Sequence, residues 1–115
     1  MKRHIAFVAA LTAAMGMNTA VLAAGDSEGD GKTLEENLVT CSGCHGQDGN
    51  SSIATNPILA GQYESYLKRA LMDYRSGARQ SAIMAGFASA LTDREIRELA
   101  AYFSSQESDL SVLKR

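Results

Sequence analysis

One constellation in this chain has evident chemistry: Cys41-Ser42-Gly43-Cys44-His45. Two thiols three positions apart, followed at once by an imidazole, form the C-x-x-C-H signature of covalent haem attachment. The spacing has a mechanical reason. Both thiols reach the two vinyl groups of one porphyrin and form thioethers, and the next residue then lies beneath the iron. His45 is thereby placed as the proximal ligand. Other chemistries use the same residues. A thioredoxin-like pair also reads C-x-x-C, but it opens a helix after a strand in a βαβ pattern. A structural zinc site needs four ligands, and the remaining histidine, His4, lies in a segment that reads as removed. A disulfide between Cys41 and Cys44 would leave His45 without a role.

The mature chain offers no second histidine, so a methionine is the expected sixth ligand. Met72 and Met84 are the candidates outside the N-terminal segment. Met72 falls on the polar side of a helical stripe and should point away from the core. Met84 falls in a loop just before Ala85-Gly86, where the backbone can fold over the far haem face. The alternative for Met84 is a gap-filling core residue. Metal-bound histidines usually donate their other N–H to an acceptor, and the carbonyl of Pro57, the only proline, is the candidate for His45. Pro57 is equally readable as an ordinary turn proline. Haem propionates need donors. Arg75, Arg79, Lys68, Arg69 and the tyrosine hydroxyls are available, and Arg79, on the way to Met84, is the preferred one.

The elements that must position these groups read as helices. Thr33-Leu34-Glu35-Glu36 has the form of a capping box, after which Leu34, Leu38 and Cys41 share a face and the helix ends in the C-x-x-C-H segment. A second helix runs from about Gln62 to Arg75 and stops at Ser76-Gly77. Its apolar stripe is Tyr63, Tyr66, Leu67, Ala70, Leu71 and Tyr74. A third opens on the capping box Thr92-Asp93-Arg94-Glu95 and buries Ile96, Leu99, Ala100 and Phe103. No segment alternates apolar and polar residues as a half-buried strand would. The expectation is an all-α domain of three main helices and two long loops, 46–61 and 78–91. Loops this long in so small a domain are expected to wrap something.

The ends read differently. Met1-Lys2-Arg3-His4 is basic, Ile5 to Met17 is mostly apolar, and small residues follow through Ala24. That order is a secretory signal, with cleavage expected after Ala23, or after Ala24. The apolar run is short for a bilayer span; an uncut membrane anchor is the other reading. No cysteine near the site offers a lipid attachment point. The expected layout is a signal over 1–23, a flexible lead-in over 24–31, the domain over 32–106 and a tail over 107–115. Loss of Lys2 and Arg3 takes the net charge from −2 to −4. Mildly acidic charge argues against nucleic acid and anionic membrane surfaces as partners. The roughly ninety residues that remain bury a smaller share of their surface than a typical domain does, and an apolar cofactor would ease that.

The order of the segments resembles the class I c-type cytochromes. Within them it is similar to bacterial soluble monohaem cytochromes and to single-haem units of dihaem cytochromes. The resemblance is carried by Cys41 to Asn50, Pro57-Ile58-Leu59-Ala60-Gly61-Gln62, Tyr74 to Arg79, Met84, Leu91-Thr92-Asp93 and Leu99 to Gln106. It implies one haem c in a small cytochrome c fold, with His45 and Met84 on the iron and the Pro57 carbonyl behind His45. It also implies that the first and third helices cross near Leu34, Leu99 and Tyr102. The expected function is a non-enzymatic carrier of single electrons between redox proteins of the periplasm, with transient partners and no membrane insertion of the mature chain. The alternative is an electron-transfer subunit held in a larger dehydrogenase complex. A gas sensor or weak peroxidase with a labile Met84 is a third reading, weakened by the lack of an ionisable distal group. A single C-x-x-C-H excludes a dihaem protein from this chain alone. The segment after Gln106 falls outside the resemblance.

Overall fold

The computed structural model describes residues 31–110; the expected secretory signal lies outside the described residues. Regular structure within them is helical: α1 (Leu34–His45), α2 (Glu64–Ser76), α3 (Ala82–Ala88) and α4 (Asp93–Ser104). Two starts follow from reciprocal capping. The Thr33 hydroxyl accepts from Glu36 N at 3.3 Å, and the Glu36 carboxylate accepts from Thr33 N at 2.7 Å. Thr92 and Glu95 repeat the device at 3.2 and 2.7 Å. In each case two backbone donors that the helix leaves unpaired find acceptors. α2 begins at Glu64 rather than Gln62: Tyr63 has a non-helical ψ of 128° and serves as the cap, while Gln62 N closes a turn on the Leu59 carbonyl. It ends at Gly77, whose left-handed backbone (φ 81°) closes the helix.

α3 departs from the sequence reading, which treated 78–91 as one loop. It starts at Ser81, whose hydroxyl accepts from Met84 N at 3.2 Å. Seven residues give no readable stripe. The outward face is apolar as well, with Ile83 70 % and Phe87 49 % exposed, and no Glu or Gln stands at the third position to complete a capping box. Met84 therefore sits in the first turn of a helix, not in a loop.

The helices touch in the order α1–α4–α2–α3. Leu67 of α2 and Leu99, Ala100 and Phe103 of α4 form the buried cluster, with Leu34, Leu38, Cys41 and Tyr102 packed on it from α1 and α4. The expected crossing near Leu34, Leu99 and Tyr102 lies here. Beside this core, Glu95 is only 2 % exposed. Its Oε1 accepts from Lys32 N at 2.8 Å and Asn37 Nδ2 at 2.9 Å, while Oε2 serves the Thr92 cap. Burial raises the Glu95 pKa, but the hydrogen bonds from Asn37, Thr92 and Lys32 outweigh it and bring the carboxyl down to about 2. One carboxylate thus starts α4 and fastens α1 to it.

The first loop is held at its waist by Gly49, whose carbonyl accepts from Leu59 N at 2.8 Å and Ala60 N at 3.3 Å. Gly49 has φ +83°, and a Cβ there would stand 2.8 Å from both Ala60 N and Phe103 Cδ1. Only glycine meets both demands. The start of the tail is fastened to this loop. Asn50 Nδ2 donates to the Glu107 carbonyl at 2.8 Å, and Asp109 N donates to Asn50 Oδ1 at 2.9 Å.

Candidate haem site

α1 ends on the C-x-x-C-H segment, so its last turn delivers Cys41, Cys44 and His45 together. Cys41 is half-buried, Cys44 is exposed, and neither forms a disulfide. Burial, and then the neighbouring Cys44, push the Cys41 thiol up. A thiol held protonated is a poor exchange nucleophile, which weighs against a thioredoxin-like role. Among the described residues no group of three or more His, Cys, Asp or Glu side chains gathers as a zinc site would need. His45 is buried, and its Nδ1 lies 2.9 Å from the Pro57 carbonyl. A carbonyl only accepts, so Nδ1 carries the proton and Nε2 is the nitrogen left for a metal.

Cys41 and His45 border a cleft of about 170 Å3 that is open to solvent and lined mainly by apolar side chains. Pro57, Ile58 and Leu59 of the first loop line it, as do Leu99, Ala100 and Phe103 of α4. α2 presents its stripe to this cleft. Of that stripe only Leu67 is buried; Tyr66 is 48 % exposed and Tyr63 more so. Tyr66, Ala70, Leu71 and Tyr74 border the cleft. An amphipathic helix ordinarily covers its stripe with protein. Here the stripe faces a cleft that also presents the Cys41 thiol and the His45 imidazole, with Cys44 exposed one turn along α1, which fits a flat apolar group attached through sulfur.

Met84 borders the same cleft from α3. Among the described residues α1 and α3 do not touch, so His45 and Met84 approach the cleft from separate elements. Met72 is exposed on α2 and does not border it. Of the cationic candidates, Arg79 alone lines the cleft. Its Nη1 donates to the Tyr66 hydroxyl at 3.1 Å, and its guanidinium stacks over the Tyr74 ring at 4.9 Å. Arg75 is committed elsewhere, to the Leu91 carbonyl at 2.9 Å and the Asp93 carboxylate at 2.6 Å. Lys68 and Arg69 pair along α2 with Glu64 and Asp73. The sequence reading missed Ser51 and Asn56, whose side chains reach the Cys44 carbonyl at 3.1 and 2.8 Å. Polar loop residues carry no periodic signal, and only the position of Asn56 directly before Pro57 marked it.

The sequence model of the family described as Cytochrome c matches residues 29–107. The chain belongs to the cytochrome c family. Cytochrome c-554(548) of Halomonas halodenitrificans is 40 % identical over 82 residues, 69 % of this chain and 99 % of that protein. The cytochrome subunit of sulfide dehydrogenase from Chlorobaculum tepidum is 40 % identical over 67 residues, 58 % of this chain and 60 % of that subunit. The crystal structure of reduced recombinant cytochrome c4 from Pseudomonas stutzeri superposes with a TM-score of 0.60 at 35 % identity. That match covers 70 % of this chain and 48 % of the cytochrome c4 chain. The chain therefore spans nearly all of the first relative but under half of the cytochrome c4. Within the family the all-α architecture, electron transport and a covalently held haem c go together, and the cleft of this chain meets the requirements of that group.

Proposed function

We propose that the chain is a monohaem electron carrier of the periplasm, and not an enzyme. Cys41 and Cys44 would hold one haem c through thioethers, and His45 Nε2 and Met84 Sδ would bind its iron. When bound, the haem supplies a one-electron iron(II)/iron(III) couple. The chain's own residues then have defined tasks. The Pro57 carbonyl holds the proton of His45 on Nδ1, which fixes the tautomer and ring plane and strengthens the imidazole as a donor. Met84 supplies a soft thioether, which favours the reduced state and raises the potential. Arg79, steadied by Tyr66 and Tyr74, presents the cation for a propionate. The apolar walls would keep water from the bound group. With His45 and Met84 both bound to the iron, no coordination position would be left for a substrate. The domain runs over 32–106, behind a cleaved secretory signal and a short lead-in. Partners are redox proteins that dock briefly over a small interface.

The observation that carries this reading is the placement of His45 and Met84 on one cleft from elements that do not touch. It is tested by Met84→Ala in the haem-loaded protein. The expected result is loss of the weak far-red band of a ferric iron–methionine bond. The potential should fall on the order of 0.2 V, within the roughly 0.8 V over which axial ligation tunes haem. An unchanged band and potential would remove Met84 from the site.

The likeness to the cytochrome subunit of sulfide dehydrogenase favours a second reading, in which the same domain is held permanently in a larger complex. Size-exclusion of a native extract separates the two. A free carrier elutes at the size of a small monomer, whereas a subunit elutes with a larger protein.

A further inference from the structure

The carbonyls at the end of a helix have no partner within it. In α1 the Ser42 carbonyl is taken by Gly46 N at 3.0 Å. The Cys44 carbonyl is taken by side chains. Asn56 Nδ2 donates to it at 2.8 Å, and the Ser51 hydroxyl lies 3.1 Å away. Both side chains come from the loop that carries Pro57. The Ser51 proton has a second acceptor in the Ile53 carbonyl at 3.3 Å, so Asn56 is the firmer of the two anchors. Asn56 is itself fixed by a turn, its N–H donating to the Ile53 carbonyl at 2.9 Å.

The register is regular. Asn56 bonds to Cys44, and the next residue, Pro57, meets His45, the residue after Cys44. A single contact between the Pro57 carbonyl and His45 Nδ1 would allow the loop to pivot about it. Two contacts in succession fix both position and direction. An amide donating to a carbonyl near solvent gains little net energy, so its value here is geometric.

We propose that Asn56, assisted by Ser51, is a positioning residue for the proximal ligand: it grips the Cys44 carbonyl and thereby sets the Pro57 carbonyl at His45 Nδ1. The effect on potential rests on the haem reading above; the clamp itself does not. Without the grip the His45 ring N–H spends more time unpaired, and the imidazole becomes a weaker donor to iron. A weaker donor stabilises ferric iron less, so the potential rises. This sign is opposite to that expected for loss of Met84.

The test uses Asn56→Leu, which keeps a similar size but neither donates nor adds charge, with Ser51→Ala as the milder variant. Hydrogen exchange of the His45 ring N–H is followed by NMR of the full chain. We expect it to accelerate about fivefold in Asn56→Leu, the factor equivalent to one net hydrogen bond. Ser51→Ala should move it less and in the same direction, and Ser51→Thr, which keeps the hydroxyl, should restore it. In the haem-loaded variants the potential should rise. Exchange and potential at the unsubstituted values in both folded variants would overturn the proposal. So would equal acceleration across the amides of α1 and α4, which is the mark of general loosening. The visible spectrum of the unsubstituted protein reports separately on the haem reading, so the two claims fail independently.

Discussion

At the scale of the residue, the site depends on a few atoms that have no substitute. His45 must expose Nε2 to the cleft, and the Pro57 carbonyl on Nδ1 enforces that tautomer. Gly49 lets the loop return to deliver Pro57, because its backbone is left-handed and its missing Cβ leaves room for Phe103 and Ala60. Gly49→Ala should therefore destabilise the fold by at least about 2 kcal/mol, from strain and overpacking together. Urea denaturation followed by helix ellipticity measures this directly. An unchanged midpoint would show that the loop relaxes freely around residue 49. At this scale the sequence was legible where chemistry dictates type and spacing. Cys41, Cys44 and His45 read directly, since no other common motif places an imidazole after that pair. Asn56 and Ser51 did not, because a hydrogen bond to a backbone carbonyl leaves no mark in residue type.

At the scale of the element, capping explains both what was legible and what was not. The Thr33 and Thr92 boxes announced α1 and α4 within a residue of their true starts. α3 was hidden, since a short helix with two apolar faces has no period to detect. Its placement matters because it carries Met84. The Ser81 hydroxyl caps α3 through Met84 N itself, and loss of such a cap costs about 1 kcal/mol. Ser81→Ala is thus expected to weaken the Met84 turn before the rest of the fold. On heating, the far-red band should fade several degrees below the loss of helix ellipticity, while the two coincide in the unsubstituted protein. Coincidence in the variant would mean that α3 melts only with the whole domain.

Glu95 joins elements in the same way. The sequence showed its capping role, but not that Lys32 and Asn37 bring α1 to the same carboxylate. Its folded pKa of about 2 lies below the ordinary value of 4.5. The stabilisation is therefore fully present above about pH 4.5 and is lost as pH falls toward 2. Its size is on the order of 2 kcal/mol after solvent screening. Denaturation midpoints measured from pH 6 to pH 2 should fall across that window. In Glu95→Gln the fall should be smaller, from a lower starting stability. A variant with the same slope as the unsubstituted chain would place the acid-sensitive group elsewhere.

At the scale of the whole molecule, three interfaces in series, α1–α4–α2–α3, leave a cleft between the ends of the series. The buried cluster is small, and Tyr66, Leu67, Ala70, Leu71 and Tyr74 of the α2 stripe all border the cleft. Fold and cofactor are coupled for this reason: an apolar group across that stripe adds the buried area that a domain of this size lacks. The fold class was legible in the absence of any strand period and in the strength of two capping boxes. The cleft was legible only indirectly, as two connections too long to be idle. On the proposed function, Cys41, Cys44, His45 and Met84 together hold one haem c for electron transfer. The visible spectrum of the exported, purified protein tests it most directly, oxidised and then reduced. Sharp low-spin c-type bands are expected on reduction, with a weak far-red iron–methionine band when oxidised. No haem absorbance in protein from a host able to attach haem would contradict it and return Cys41 and Cys44 to thiol chemistry.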